Sequence, residues 1–380
     1  MDFAIKLLRY SAQTNESSLV SPSAVISALM MLYNGAEGAT QREIEELFSE
    51  GGRSELWSPG DYHCTVTDFM QNLARYENSD AKQSSKLWVQ DRFPILPSFK
   101  DSVTKHHNAQ LEEVSFEEND FTENAANWII LGDFLFQEPS FYDVRNTVFI
   151  NFGFKMFFIG KLHFQVKWKH GFFSLVEQAV FTLPSTQTIH AEASEGRCFQ
   201  LPMIGRVSSF PYYEDESVQV ISLPLKNNEM QMLLILPRKL LGLGEVEDSI
   251  TGEKLNGYID ALSASEKTLV MIPKFAVSKY YVVSKALENM GLQSMFSKSA
   301  NFSRISCAPL SVTNWIVSYA TMKVDERGIS TELPNHMQDI SESSFRIFFA
   351  NHPFLYVIFD YQKNIQWISR YVGDNPKPVT

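Results

Sequence analysis

Cysteine is scarce: Cys64, Cys198 and Cys307 are the only three in 380 residues. They are far apart and odd in number, which gives neither a disulfide framework nor a metal-ligand spacing. The plain reading is buried or surface thiols. Basic charge is also in deficit, with 33 Lys and Arg against 44 Asp and Glu, a net charge of −11 and a pI of about 5.3. A nucleic-acid binder needs a basic footprint to neutralise phosphates, so that class is excluded. Long apolar runs are missing as well. The most apolar window, 148–159, is interrupted by Asn151 and Lys155 and is too short to span a bilayer. The opening MDFAIKLLRYSAQTNESS has an acid at position two and no long apolar stretch. It does not read as a secretory leader, which predicts a cytoplasmic protein, with the extracellular space as the alternative. On that prediction the sequons Asn15-Glu16-Ser17 and Asn301-Phe302-Ser303 stay silent.

Catalytic signatures are absent too. There is no G-x-S-x-G elbow, phosphate loop, G-x-G-x-x-G or H-E-x-x-H. His106 and His107 are adjacent and cannot share a helix face, and both are expected in solvent. His163 and His170 flank Trp168 and read as strand or loop histidines. Glu112-Glu113 and Glu117-Glu118 read as a solvated acidic face rather than an acid/base pair. The expectation is a protein that is not an enzyme and holds no metal and no cofactor.

What the chain does have is apolar mass. At 44% hydrophobic and 13% aromatic residues, it can build a large core and is not globally disordered. Phe3, Leu7 and Tyr10 sit at helical spacing. Ser21-Pro22 reads as an N-cap followed by proline at the first helical position, with Val25, Leu29 and Leu32 as the apolar stripe and Gly35 as the stop. Thr40-Gln41-Arg42-Glu43 reads as a capping box. Leu87 to Pro97 looks like a strand leading into a short helix near Phe99. From Asn146 onward strands dominate. Residues 218–220 and 230–234 alternate around a turn at Lys226–Glu229, and another strand spans 268–272. Val283, Leu287 and Met290 mark a helix that ends at Gly291. Helices first and strands later predict an α+β fold with large antiparallel sheets, while length alone would allow two or three domains.

One stretch fits no period. Strands are expected at 317–324 and 353–360, and between them run about two dozen residues without helical or strand alternation. Loops longer than about 12–15 residues are uncommon and are usually functional.

Several segments together resemble the serpin family. They are SPSAVISALMMLYNGAEGAT, LPSFKDSVTKHHNAQLEEVSF, VQVISLPLKNNEMQMLLILP, LVMIPKFAVSKYYVVSKALENMGLQSMFSKSANFSRIS, and VDERG followed by the long loop and FFANHPFLYVIFD. Each is weak alone; in register along nearly the whole chain they are specific. The resemblance implies a single domain over 1–380 and a suicide-substrate inhibitor of a serine or cysteine protease that acts as a monomer, without nucleic acid or membrane. An exposed reactive loop, about 326–350, would be cut and then inserted into the main sheet.

Counting 25 residues from Gly328 to Pro353 puts the reactive bond between Glu342 and Ser343. Met337, Phe345 and Arg346 remain alternative cut sites. The implied hinge comprises Glu326, Gly328, Ile329, Thr331, Leu333 and Pro334. The implied sheet-opening cluster comprises Ser21, Asn151 and Ser318. This chain departs from the family pattern in having large Ile329 and Leu333 in the hinge, Pro334 without an N–H, Ala24 for a serine, Ser318 for a histidine and Ser369 for a glycine. It also carries an expected insertion at about 152–165, before Trp168. These departures favour a second reading, a non-inhibitory serpin whose loop is cleaved without inserting: a binding scaffold, a chaperone-like protein or a degenerate gene product.

Overall fold

The computed structural model describes residues 1–12, 16–49, 81–107, 109–116, 121, 124–125, 127–128, 155–165, 167–174, 179–183, 197–226, 230–264, 266–310, 316–326 and 345–373. The chain forms two compact units, one of residues 1–19, 165–277 and 322–380, the other of residues 20–164 and 278–321.

In the second unit, helix α2 (Pro22–Gly35) starts where the sequence predicts. Ser21 Oγ accepts from Ala24 N at 3.2 Å, and Pro22 needs no hydrogen-bond partner at the first position. The helix is apolar nearly all round and buried nearly all round. A side chain at Gly35 would place its Cβ 2.1 Å from Ile305 Cγ1, so any larger residue would have to displace Ile305. The capping box expected at Thr40–Glu43 does not form. Helix α3 (Gly38–Ser49) begins two residues earlier, with Gly38 at φ +63°. Thr40 Oγ1 instead accepts from Asn301 N, and Glu43 Oε2 accepts from the N–H groups of Gln293 and Ser294 at 2.9 and 2.8 Å. A distant segment thus competed successfully for both side chains.

Among the described residues the main sheet has five strands in the order β12–β13–β3–β1–β2: β12 (Phe275–Val282), β13 (Ile316–Val324), β3 (Met156–Gln165), β1 (Ala81–Gln90) and β2 (Gln110–Val114). β1 runs antiparallel to β3, with Val89 opposite Met156 and Ala81 opposite Phe164, and parallel to β2. Residues 156–165, most of the segment expected as an insertion, are therefore a sheet strand. Trp88, Phe157, Ile159, Val317 and Tyr319 cluster on one face. Helix α4 (Pro97–His106) follows β1 as expected near Phe99. His107, expected in solvent, is fully buried: it directly follows the helix, and its N–H donates to Val103 O. Glu112 and Glu113 are half exposed and pair with Lys86 and Lys100. Helix α7 (Ser284–Asn289) buries Val283 and Leu287, and the chain turns at Gly291 with φ +111°.

In the first unit, helix α1 (Asp2–Ser11) buries Ala4, Ile5, Leu7 and Leu8, while Tyr10 is 50% exposed. The helix is where it is expected, but the buried face is rotated from the Phe3–Leu7–Tyr10 stripe. A second five-stranded sheet runs β16–β15–β10–β9–β8: β16 (Ile365–Tyr371), β15 (Phe354–Asp360), β10 (Met230–Pro237), β9 (Val218–Pro224) and β8 (Tyr212–Glu214). The expected β9–β10 hairpin pairs Pro224 with Gln231. Every residue of β15 and β16 is buried. A four-stranded sheet runs β14–β11–β7–β4: β14 (Arg346–Phe349), β11 (Thr268–Pro273), β7 (Met203–Ser208) and β4 (Phe173–Ser174). β5 (Ala179–Leu183) pairs with β6 (Arg197–Leu201). Helices α5 (Leu243–Ser249) and α6 (Gly252–Ala261) complete this unit. No described helix is long and apolar enough to cross a membrane.

Candidate functional site

The long aperiodic stretch joins β13 to β14. Its middle, 327–344, lies outside the described residues, and so do Gly328, Ile329, Thr331, Leu333, Pro334, Glu342 and Ser343, as well as Asn151. Both ends of the connection are described, and both lie within the first unit, where neighbouring residues of that unit hold them.

At the departing end, β13 stops at Val324. Trp168 is almost fully buried, and its Nε1–H donates to Asp325 O at 2.7 Å. Phe172 N donates to Glu326 O at 3.0 Å. Lys274 Nζ lies 2.6 Å from Glu326 Oε2. Lys323 Nζ is 3.7 Å from Asp325 Oδ2. Trp168 is fixed in turn: it bridges Leu225, Lys169 N donates to Pro224 O, and its ring lies 4.9 Å from that of Phe172. His170, beside it, is held below its ordinary pKa by partial burial and then by the charges of Arg206 and Lys169.

At the returning end, Phe345 is half-buried and Arg346 opens β14. Arg346 N donates to Lys267 O at 3.0 Å. Its Nη2 lies 2.8 Å from Glu266 Oε2, and its guanidinium sits 4.2 Å above the Tyr212 ring. Burial, with the hydrogen bond to Glu214, pushes the Tyr212 hydroxyl up to about 12, so the ring under Arg346 stays neutral.

Sequence reasoning singled out Trp168, Glu326 and Arg346 in this region. It missed Lys274, Glu266, Phe172 and Tyr212. The signal for Lys274 was the break Pro273-Lys274-Phe275 between two strand patterns, where a side chain leaves the sheet ladder. Nothing local marks Glu266 or Tyr212, because their roles depend on the pairing of β11 with β14.

Ser21 and Ser318 are both buried. Ser21 Oγ caps α2 and lies 3.1 Å from Ser23 Oγ. Ser318 Oγ has no hydrogen-bond partner among the described residues. A Cβ on Gly160, in β3, would come within 3.1 Å of Ala24 Cβ, so strand and helix approach closely there.

Comparison with known proteins decides the family. The sequence model described as Serpin (serine protease inhibitor) matches residues 1–372. The chain belongs to the serpin family. Ovalbumin-related protein Y of Gallus gallus is 25% identical over 365 residues, covering 90% of this serpin and 89% of the relative. The fold of this serpin is similar to that of uncleaved ovalbumin, with a TM-score of 0.79, 23% identity and 97% of each chain covered. The mouse protein-Z dependent protease inhibitor superposes with a TM-score of 0.78 at 20% identity, over 97% of this serpin and 94% of that chain.

Proposed function

We propose that this serpin inhibits a serine or cysteine protease as a suicide substrate, with the loop expected at about 326–350 as the bait, shortened at its far end because Arg346–Phe349 form β14. The observation that carries the reading is the pair of anchors. Glu326 is held by Lys274 and Phe172, and Arg346 by Glu266 and Lys267, which supports a bait strung between two fixed ends.

The chemistry then follows from the neighbours of β13. The protease nucleophile attacks a loop carbonyl, taking Glu342 as the first candidate. An acyl bond forms, and the amine of Ser343 leaves with a proton. The freed segment remains continuous with β13, which neighbours β3 in the main sheet. Insertion between those two strands would add ladder bonds worth about 0.5–1.5 kcal/mol each and would carry the acylated protease away.

The second reading is cleavage without trapping, in which this serpin serves as a binding scaffold. Two observations favour it: Pro334 lacks the N–H that a central strand needs, and Ser318 Oγ is buried without a hydrogen-bond partner among the described residues. The test is the thermal midpoint before and after loop nicking, together with a search for an SDS-stable protease complex. A large rise in midpoint and a stable complex support trapping. Complete cleavage with no rise and no complex supports the scaffold.

A further inference from the structure

We infer that a cleft on one face of the main sheet, floored by Lys86 and Lys161 and walled by Trp88 and Trp128, binds a small organic anion with a flat apolar body, an aromatic carboxylate. The cleft encloses about 750 Å³, the size of a small-molecule site. The residues that line it belong to the second unit. The inference does not depend on the bait reading.

The strand register puts the two lysines there. In the β1–β3 ladder Trp88 lies opposite Phe157 and Lys86 opposite Ile159, and Lys161 follows two residues on. Alternation sends these five side chains to one face. Trp88, Phe157 and Ile159 belong to the core cluster of that face. A strand face covered in this way normally carries apolar or β-branched side chains, and lysine is rarely buried unless paired. Yet Lys161 is only 8% exposed and the Lys86 side chain 13%. Two lysines stand where valine would pack better.

The charges already in place select the sign of the ligand. The Lys86 ammonium lies 4.8 Å from the centre of the Trp88 ring and 5.7 Å from that of Trp128. The position that an incoming cation would take against the two indoles is therefore filled. Glu112 Oε2 accepts from Lys86 Nζ at 2.6 Å and from Trp88 Nε1 at 3.1 Å. Glu113 pairs with Lys100, and Asp91 accepts from Gln90 Nε2. The acids of the cleft are thus engaged by donors of the protein itself. An ammonium has three donors, and Lys86 directs one at Glu112, so an anion can take another as a charge-assisted bond. The walls suit a flat body. The Trp88 and Trp128 rings stand edge to face at 82° with centroids 5.7 Å apart, and Phe121 meets Trp88 in the same way.

The test titrates the full-length serpin by isothermal calorimetry with 2-naphthoate, its neutral counterpart 2-naphthylmethanol and the cationic 2-naphthylmethylamine. The expected result is one saturable site for naphthoate, at least about tenfold tighter than for the alcohol or the amine. Lys86→Gln should weaken naphthoate by about tenfold and leave the alcohol unchanged, whereas Lys86→Arg should keep the preference for the anion. Trp128→Ala should weaken naphthoate and the alcohol alike. Lys86→Gln leaves Glu112 without its cation, so Lys161→Gln, which keeps that pair, is titrated beside it, and thermal midpoints establish that each variant is folded. No saturable heat from naphthoate, or equal affinity for all three probes, would overturn the inference. So would unchanged naphthoate affinity in both lysine variants. Tighter binding of the amine would also overturn it and would assign the cleft to cations held by Glu112.

Discussion

The indole N–H of Trp168 donates to the carbonyl of Asp325 at 2.7 Å, both groups being buried, at the point where β13 ends and the long loop departs. Trp168→Phe keeps the aromatic body and deletes the donor. The Asp325 carbonyl is then left buried without it, a loss of about 1–3 kcal/mol. The urea midpoint should fall accordingly. An unchanged midpoint would mean that water or another donor replaces the indole.

Lys274 and Glu326 form a different kind of contact. Their side chains are 28% and 41% exposed, so solvent screens the pair. Lys274→Gln should therefore cost only about 0.5–1 kcal/mol and lower the thermal midpoint by about 1–3 °C. A larger loss in calorimetry at fixed scan rate would show that the pair holds the loop root cooperatively.

Ser318 predicts an effect of the opposite sign. Its Oγ is buried and makes no hydrogen bond among the described residues. Ser318→Ala removes an uncompensated hydroxyl, so stability should hold or rise by up to about 1 kcal/mol. A fall in the thermal midpoint would reveal a partner for that hydroxyl.

His352 gives a pH dependence. It is buried in the segment before β15, with Nδ1 2.9 Å from Asn351 Oδ1 and Nε2 2.7 Å from Pro237 O. Burial holds its pKa below 6.5, and the Pro237 contact offsets this only in part. The folded state therefore favours the neutral ring. Its contribution is fully present above the unfolded pKa of about 6.5. It is lost as the pH falls below that value, because the unfolded chain takes up the proton first. Urea titrations at pH 8 and pH 5.5 should show lower stability at the acid pH. His352→Gln should reduce that difference, and an equal difference in the variant would assign it to other groups.

How far the sequence could be read depended on where each signal originated. The α2 cap, the β9–β10 hairpin and the α7–Gly291 stop are local, and all appear as expected. The misses arise from distant partners. Thr40 and Glu43 match a capping box, yet they bond to residues 293–301. Tyr10 fits the helical stripe of α1, but the buried face is the one carrying Ile5 and Leu8. His107 looks solvated beside Lys105 and His106, but it is buried where the chain leaves α4. The anchoring of Arg346 needs β11 beside β14, a pairing of residues nearly eighty positions apart that no local pattern encodes.

Pro334 supplies the most direct test of trapping. Under the proposed trapping mechanism, insertion after cleavage would compete with hydrolysis of the acyl bond, and the faster process would decide the outcome. A proline in a central strand removes a ladder N–H, and the opposing carbonyl left buried without it costs about 1–3 kcal/mol. That does not forbid the inserted state, because a segment of about ten residues would gain bonds of roughly 0.5–1.5 kcal/mol each. If the cost falls on the insertion barrier, the rate drops by up to about a hundredfold. Pro334→Ala restores the N–H and a small side chain, so the ratio of SDS-stable complex to cleaved serpin should rise towards that limit. Pro334→Gly, which also restores the N–H, should move the ratio the same way. If both variants leave the ratio unchanged while cleavage stays complete, the hinge proline does not limit insertion. The block would then lie in the sheet, at Ser318 and Ala24.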